Sequence, residues 1–500
     1  MGFKSDREFL RNITIGAVGT RQVARLLRQG GFQIIELERT ATSNKIWMTK
    51  VKRLRVPDLL CLRTGIRIES RAKSDLKIAM SHAVKNEERA WDRGLWDDDL
   101  VAFIRCTERE DGGWVPGDRA ALFRVRNMRA TVEAAGLTRM KAASEGSEIQ
   151  LVWPVTVPQQ PGRVSVVTQE AIDTVLESGR RQRYRLTVRR GGDGGTASYC
   201  LHPYVVPGDG FGAGDTIIAS VVPECVRPVC PPSGQYDFIP DLRSESRETV
   251  YAAAKALGFL PEAQRRGTDE LRGVAADHPD ALVRLESAAA LARLGIPDGW
   301  EAIEHTLRAA PEVSLRMEAV LILGELRADE ALRLLAHVAS DRSNPPELRA
   351  AAAWGMSTAA TSLDATPLLE LLADDNEVVA IHALVSASRL MDVEGPALAL
   401  VQLGTDDRAS AGIVRAILAL RCDPLPQIIT AVQNAIGPRR SWLLYLLGML
   451  GRARCERHLS EHAPEILREL ELFWTRHIEN WTNRLDIADQ IDFQIAQMLD

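Results

Sequence analysis

The C-terminal half of this 500-residue chain repeats one helical pattern, and this repeat constrains the fold more than any other feature. The copies align on seven anchor residues set 30 to 37 positions apart: Arg247, Arg284, Arg316, Arg349, Ala380, Ser410 and Arg440. In every copy the residues three, seven and ten positions after the anchor are apolar or small, and residues at this spacing share one helix face. One copy cannot bury that face alone, so stacked copies are predicted.

A second helix is predicted in each copy, after a short break. Several of these helices are expected to begin at an aspartate, whose carboxylate caps the free amides of a first turn: Asp298, Asp329, Asp364 and Asp423. This helix–turn–helix unit resembles the short HEAT-like repeats from residue 247 to about residue 460. The resemblance implies an α-solenoid that binds proteins or nucleic acids. Residues 461–500 are predicted to cap the array, with Trp474 and Trp481 packed beneath the cap.

Charge is divided unevenly along the chain. Residues 1–240 hold 36 Lys and Arg against 28 Asp and Glu, whereas residues 241–500 hold 26 against 39. The basic half predicts binding to DNA or another nucleic acid, and the acidic array predicts a protein partner.

Composition excludes two classes of protein. No apolar run reaches the roughly 18 residues of a membrane-crossing helix, so no membrane contact is expected. The N-terminus lacks the apolar core of a signal peptide. Seven cysteines are scattered without CxxC pairs, which indicates a reducing compartment and argues against a disulfide scaffold. We therefore expect a cytoplasmic protein.

The N-terminal segment is predicted to be an α/β unit built around a polar hairpin. A helix is expected over residues 18–30, and strands over residues 32–38, 45–51 and 57–62. After a turn at Arg63–Gly65, the return strand alternates. This alternation places four charged residues on one face of the strand: Arg67, Glu69, Arg71 and Lys73. A helix and a further strand, residues 97–106, are expected to follow.

Two carboxylates in this hairpin are candidate metal ligands. Asp58 and Glu69 could share Mg²⁺ or Mn²⁺, because hard cations prefer oxygen ligands. Such a metal polarises a phosphodiester and lowers the pKa of a bound water. Lys73 could assist that water, and Arg71 could contact the scissile phosphate.

The hairpin resembles the motif of the PD-(D/E)XK nuclease superfamily, which includes restriction endonucleases. The resemblance rests on Pro57-Asp58, ten intervening residues and Glu69, and it covers about residues 5–110. It implies a restriction-endonuclease-like αβββαβ core. In one departure from the family pattern, the Lys expected two residues after the acidic residue is Arg71. Three explanations stay open: Lys73 serves from a shifted register, Arg71 takes the role, or the site is degenerate.

The resemblance also implies further site residues. A third acidic residue is often present in the superfamily, and the candidates are Glu8, Glu36 and Glu38, of which we select Glu38. Arg53, Arg55 and Arg71 are expected to contact the nucleic-acid backbone. For Arg53 and Arg55 the alternative is an ordinary solvated edge strand.

The middle of the chain is predicted to be β-rich, because residues 150–223 alternate in strand fashion between Gly-rich turns. The expected organisation is therefore multidomain, with α/β, β and all-α parts. It comprises a nuclease-like domain (1–110), a connecting segment with a small β module (111–224), a Pro-rich linker (225–243), the HEAT-like solenoid (244–460) and a helical cap (461–500).

From these features we expect a metal-dependent endonuclease that acts on DNA and docks a partner protein through its array. A role in bacterial defence or repair is expected from domain analogy alone. The alternative is a non-catalytic scaffold or adaptor that binds nucleic acid. A glycosylase-like array is a third hypothesis, but the acidic charge of residues 241–500 counts against it.

Overall fold

A computed structural model gives the fold of the chain. It describes residues 7–29, 32–38, 54–75, 77–83, 90–110, 113–135, 138–141, 148–156, 160–168, 171–176, 179–185, 187–189, 196–198, 216–219, 224–226, 236–260, 266–359 and 366–477. These residues form two compact units, one holding the described residues up to Ala290 and the other those from Leu291 onward.

The first unit opens with a helix and a mixed sheet. The elements are α1 (Arg7–Gln29), β1 (Ile34–Glu36), β2 (Leu59–Cys61), β3 (Arg67–Lys73), β4 (Lys77–Ala83), β5 (Leu100–Glu108), β6 (Trp114–Arg124), α2 (Val125–Ala135), β7 (Thr138–Lys141) and β8 (Glu148–Thr156). Five strands form one sheet in the order β1-β2-β3-β5-β6. Only β3 and β5 pair in parallel, and the other neighbours are antiparallel.

Each face of this sheet packs against a different layer. On one face, Ile68 and Ile104 pack with residues of α1. Gly19 lets α1 approach β3, because a Cβ at this position would lie 2.6 Å from the Cβ of Ala72. On the other face, Phe103 packs with residues of α2 and of a second sheet, which has the order β4-β8-β7. Because both faces are covered, β2 is buried along its whole length.

The N-terminal prediction is confirmed in part. The structure contains the first helix, the strands of the hairpin and the later strand, and the sheet curls between two layers. The helix predicted after the hairpin is wrong in the described residues, since 77–83 form strand β4. Buried Ile78 and Met80 account for this, because they alternate along a strand and complete the core on that face. The restriction-endonuclease core is therefore not shown, and the strand predicted at 45–51 lies outside the described residues.

Two predicted domain boundaries fall inside strand pairs. The boundary at residue 110 separates β5 from β6, which pair from Leu100–Arg124 to Glu108–Trp114. Beyond β8, five strands form a separate sheet in the order β11-β10-β9-β14-β15: β9 (Gln160–Val167), β10 (Ala171–Leu176), β11 (Arg181–Arg185), β14 (Thr216–Ala219) and β15 (Glu224–Val226). A short hairpin joins β12 (Thr187–Arg189) to β13 (Thr196–Ser198). The predicted linker thus begins within β15, at Cys225.

The rest of the described chain is helical, as predicted. After a 3-10 turn, Pro240–Arg243, it contains α3 (Arg247–Leu257), α4 (Thr268–Asp277), α5 (Ala281–Arg293), α6 (Pro297–Ala309), α7 (Val313–Leu326), α8 (Asp329–Ser340), α9 (Pro346–Ala359), α10 (Thr366–Leu371), α11 (Glu377–Glu394), α12 (Ala397–Gln402), α13 (Asp407–Leu418), α14 (Leu425–Gln433), α15 (Gly437–Met449), α16 (Arg452–His462) and α17 (Pro464–His477). Within the described residues, no helix combines the length and apolarity that a bilayer crossing requires.

The predicted repeat register is confirmed. All seven anchors lie on the first helix of a pair, in α3, α5, α7, α9, α11, α13 and α15. The residues three, seven and ten positions after each anchor are buried, except Leu420 and Leu450. The period of the sequence therefore identifies the packed helix face.

The anchor arginines tie helix ends together. Arg349 is buried, donates to the carbonyl of Ala339 at the end of α8 (2.7 Å), and pairs with buried Asp374. Arg440 donates to the carbonyl of Val432 (2.6 Å) and pairs with Glu469 (2.6 Å). A guanidinium suits this position because its several donors satisfy the free carbonyls at a helix C-terminus.

The predicted aspartate caps are partly wrong. In α6 and α8 the N-caps are Ile296 and Ala328, and Asp298 and Asp329 lie in the first turn instead. An acidic residue there is still favoured by the helix dipole. Asp423 does accept the amide of Leu425 at the start of α14 (2.9 Å). Asp364 lies outside the described residues.

The predicted cap is helical where it is described. Trp474, on α17, donates its indole N–H to the carbonyl of Gly448 (3.1 Å) and so packs on the end of α15, as predicted. Trp481 lies outside the described residues.

A buried ion pair fixes one end of β3. Arg67 and Asp99 are joined by two hydrogen bonds, Nε to Oδ1 (2.9 Å) and Nη2 to Oδ2 (2.5 Å), and both side chains are about 5% exposed. Asp99 also accepts the amide of Trp96 (2.6 Å), and the Arg67 guanidinium lies 3.6 Å from the centre of the Trp96 ring. The pair connects β3 to the loop before β5.

We expect Asp99→Ala to lower the free energy of unfolding by about 3–5 kcal/mol, because it leaves the Arg67 charge buried without its partner. Urea unfolding followed by tryptophan fluorescence measures this loss. The control is Glu108→Ala, which removes the exposed pair with Arg11 and should cost less than about 1 kcal/mol. Equal losses in the two variants would contradict a structural role for the buried pair.

Candidate functional site

The register of the hairpin brings Asp58 to Glu69. Leu59 pairs with Ile68 and Leu60 with Arg67, so Asp58 and Glu69 are next in line. The amide of Ser70 donates to Asp58 Oδ2 (2.7 Å), which fixes the carboxylate against β3. As predicted, Glu69 lies on the face of β3 opposite to Ile68. The two candidate ligands are thus brought together.

Strand β1 adds the third candidate carboxylate. The amide of Leu37 donates to the carbonyl of Asp58 (2.8 Å), so the chain just beyond β1 runs beside Asp58. Glu38 follows directly, and its charge raises the pKa of Asp58. Glu38 therefore belongs to the same electrostatic group as Asp58 and Glu69.

The pKa of Asp58 is raised well above its ordinary value of 3.8. Burial is the largest cause, followed by repulsion from Glu69 and from Glu38. The hydrogen bond from the Ser70 amide and the charge of Arg71 act in the opposite direction. The repulsion from Glu69 and Glu38 therefore makes ionisation of Asp58 less favourable than in an isolated aspartate.

Arg71 is the cation that the structure places at these carboxylates. Its Nη2 lies 2.8 Å from Glu69 Oε1. The charge of Glu69 is the main cause that raises the pKa of Arg71, and Asp58 and Glu38 contribute. The Arg71 side chain is 43% exposed, against 16% for Glu69, so the guanidinium stands on the outer side of the group.

Lys73 is directed elsewhere. Its ammonium donates to the carbonyl of Ala79 on β4 and lies 5.9 Å from the centre of the Phe103 ring. The pKa of Lys73 is lowered to about 8, mainly by burial and also by the charge of Arg71, while the charge of Asp75 acts in the opposite direction. The structure therefore groups Arg71, and not Lys73, with Asp58 and Glu69.

The remaining predicted residues lie near the start of the hairpin. Arg55 is exposed, and Arg53 falls outside the described residues. The backbone of Arg55 closely approaches Gly94, where a Cβ would lie 2.4 Å from the Arg55 carbonyl oxygen. Arg55 is thus held at the surface by the loop before β5.

The carboxylate oxygens of Asp58 and Glu69 are suitable ligands for a small divalent cation. Mg²⁺ takes oxygen ligands, keeps several waters and is commonly bound through one or two carboxylates. Asp58 and Glu69 supply two, and their mutual repulsion gives a cation a reason to bind. Among the described residues, no group of three or more His, Cys, Asp or Glu side chains is arranged to enclose a metal. The fit is therefore to a two-carboxylate site, with Glu38 acting through its charge.

Two structural residues were not predicted from the sequence. Asp99, which holds Arg67, stands in the acidic run 97–99, whose pairing across 32 residues the sequence does not reveal. Lys255 is fully buried in α3 and donates to the carbonyl of Leu37 (3.2 Å). A single Lys within the Ala-rich stretch YAAAKALG was the available signal.

The raised pKa of Asp58 predicts a pH-dependent penalty on folding. The folded protein holds this proton more tightly than the unfolded chain does. Stability therefore falls as the pH rises from the ordinary value of 3.8 up through the raised pKa. Asp58→Asn cannot ionise, so the variant should gain stability relative to the wild type between pH 4.5 and pH 8, measured by urea unfolding with EDTA present.

The control for this test is Asp98→Asn, which changes a carboxylate that is 75% exposed. Its stability relative to the wild type should change little over the same pH range. If the stability difference between Asp58→Asn and the wild type were the same at pH 4.5 and at pH 8, it would contradict a raised pKa of Asp58 in the folded protein.

Comparison with known proteins bears on the array. A family model described as HEAT repeats matches residues 301–388. Similar solved structures include an engineered protein (19% identity, TM-score 0.23, covering 36% of this chain and 93% of that one). They also include the complex of CpcE and CpcF of phycocyanin lyase from Nostoc (18% identity, TM-score 0.24, covering 45% of this chain and 99% of that one).

At these TM-scores, neither structural likeness carries an argument about this chain. No curated protein matches the sequence. The PD-(D/E)XK resemblance of the N-terminal segment gains no support from any of the comparisons. The family model supports HEAT repeats in the C-terminal array, over residues 301–388.

Proposed function

We propose that the protein is a divalent-cation-dependent endonuclease that acts on DNA and docks a protein partner through its HEAT repeats. The observation that carries the proposal is the meeting of Asp58, Glu69 and Glu38 beside Arg71. A partly buried cluster of carboxylates that includes a strongly raised pKa is typical of a functional site. The position of Arg71 beside this cluster suits contact with a phosphate.

Each residue of the site has a distinct role in this proposal. Asp58 and Glu69 hold Mg²⁺ or Mn²⁺, and Glu38 adds negative charge behind them. When bound, the metal supplies Lewis-acid polarisation of the phosphodiester and a more acidic water. Arg71 contacts the scissile phosphate and stabilises developing negative charge. It cannot accept a proton from a water, because its high pKa keeps the guanidinium protonated.

Lys73 has a supporting role in the proposal. Its ammonium binds the Ala79 carbonyl, so it joins β3 to β4 and holds the strand that carries Glu69 and Arg71. Of the explanations for the departure from the family pattern, the geometry therefore favours Arg71 as the functional cation. The lowered pKa of Lys73, about 8, would help it to give up a proton. Its ammonium would nevertheless have to leave the Ala79 carbonyl before it could assist a water.

Several exposed arginines could bind the DNA backbone. Arg55 lies before the hairpin, and Arg53 is proposed to act with it. On the separate β sheet, Arg163, Arg181 and Arg183 are also exposed. Backbone contacts of this kind position the DNA without reading its sequence.

The HEAT array is proposed to dock a protein rather than DNA. Stacked helix pairs present long surfaces suited to a protein partner. The excess of acidic residues over residues 241–500 disfavours a phosphate backbone and favours a basic partner surface. A place in bacterial defence or repair remains a proposal from domain analogy.

Plasmid cleavage tests the enzyme. With Mg²⁺ or Mn²⁺, the wild type should nick or linearise plasmid DNA, and EDTA should stop the reaction. Asp58→Asn and Glu69→Gln should each reduce the rate by at least about 100-fold, since each removes a metal ligand. Arg71→Met should cause a similar loss through the phosphate contact, whereas Lys73→Met should retain cleavage within about ten-fold.

The matched control is Asp98→Asn, an exposed carboxylate on the same domain, which should cleave like the wild type. Cleavage that persists in Asp58→Asn and Glu69→Gln would show that the proposed site is wrong. A greater loss in Lys73→Met than in Arg71→Met would reverse the assignment of the cation.

A non-catalytic scaffold is the second candidate function. HEAT repeats suggest a scaffold or adaptor, and Arg71 in the position of the family lysine is consistent with a site that binds without cutting. This hypothesis predicts salt-sensitive DNA binding and no cleavage with either metal. If the protein slows the migration of plasmid DNA in a gel but leaves the plasmid uncut, the scaffold is favoured over the nuclease.

A further inference from the structure

Lys255 links the first helix of the array to the candidate site. Its side chain is fully buried in α3, and its ammonium donates to the carbonyl of Leu37, 218 residues earlier in the chain (3.2 Å). Both residues belong to the same compact unit. A buried ammonium is costly unless it is paired or hydrogen-bonded, so this arrangement requires compensation from its surroundings.

The peptide at Leu37 connects Lys255 with Asp58. The carbonyl of Leu37 accepts a hydrogen bond from the Lys255 ammonium. The amide of Leu37 donates to the carbonyl of Asp58 (2.8 Å). Glu38, whose charge acts on Asp58, is the next residue in the chain. A displacement of Leu37 would therefore move both the backbone that carries Asp58 and the Glu38 carboxylate.

The segment before α3 holds the other end of the same hairpin. The amide of Tyr236 donates to the carbonyl of Arg63 in the turn between β2 and β3 (3.0 Å). The Tyr236 ring lies over Gly65, where a Cβ would come within 2.9 Å of ring carbons and where φ is +71°. Phe238, which is buried, packs edge-on against Tyr236 (4.8 Å between ring centres). The hairpin is thus held at its turn as well as beside Asp58.

We propose that Lys255 is a positioning residue of the candidate site, through which the first helix of the HEAT array fixes the place of Asp58 and Glu38. This inference rests on the proposed function, because it assigns a role to the metal site. It makes α3 part of the site's support. A partner that shifts α3 would change the geometry of the carboxylates without touching them.

The test compares Lys255→Met with Lys255→Arg. Met removes the hydrogen-bond donor but has a side chain of similar length, whereas Arg keeps a donor. Both are made in the full-length protein. Mn²⁺ binding is measured by isothermal titration calorimetry, with Asp58→Asn as the baseline for a lost ligand. Val250→Ala on the same helix is the matched control, because Val250 is buried on the repeat face of α3 and Ala leaves a cavity there.

Lys255→Met should weaken Mn²⁺ binding by about ten-fold, as expected when a group that orients metal ligands is lost. Lys255→Arg should restore most of the affinity. Val250→Ala should lower the melting temperature but bind Mn²⁺ like the wild type. Equal affinities in Lys255→Met and the wild type would overturn the inference and leave the proposed metal site intact.

Hydrogen exchange separates this inference from the proposed function. If the wild type binds no Mn²⁺, the proposed metal site fails, and the amide of Leu37 then decides the role of Lys255. Its exchange should be at least about ten-fold faster in Lys255→Met than in Val250→Ala, because the peptide loses one of its two anchors. Equal exchange in the two variants would show that Lys255 does not position this peptide.

Discussion

The register of β2 against β3 is the constraint on which the candidate site depends. Leu59 lies opposite Ile68, which is buried against α1, and Asp58 and Glu69 come together as the next pair in line. A slip of one residue would send Ile68 to the opposite face of the sheet and separate the carboxylates. The packing that stabilises the sheet therefore also enforces the repulsion at Asp58, which the charge of Arg71 and the hydrogen bond from the Ser70 amide oppose. A bound cation would relieve a strain that the core itself imposes.

Local patterns in the sequence predicted the parts of the structure that depend on local geometry. Alternation along β3 gave the correct face for Glu69 and Arg71, because the two-residue period of a strand does not depend on its neighbours. The repeat period likewise identified the buried stripe of the array. The helix predicted after the hairpin was wrong because a short apolar stretch such as Ile78–Met80 is compatible with either a strand or a helix. That error also hid the partner of Lys73, since Ala79 lies on the strand that was missed.

Long-range contacts were beyond the reach of the sequence. Lys255 stands in an Ala-rich helix, and nothing near it indicates an acceptor 218 residues away. Its burial becomes intelligible only when the end of β1 is placed beside Asp58. The sequence-based division into a nucleic-acid-binding half and a partner-docking half is therefore too simple, because α3, the first array helix, belongs to the same compact unit as the N-terminal sheet and binds the Leu37 carbonyl beside Asp58.

Anomalous diffraction from Mn²⁺-soaked crystals would show whether Asp58 and Glu69 form a divalent-cation site. We expect a Mn²⁺ peak with carboxylate oxygens of both residues at about 2.0–2.2 Å, a range typical of small divalent cations, and no peak in Asp58→Asn crystals. Wild-type crystals with saturating Mn²⁺ and no peak between these side chains would show that the two carboxylates do not form such a site.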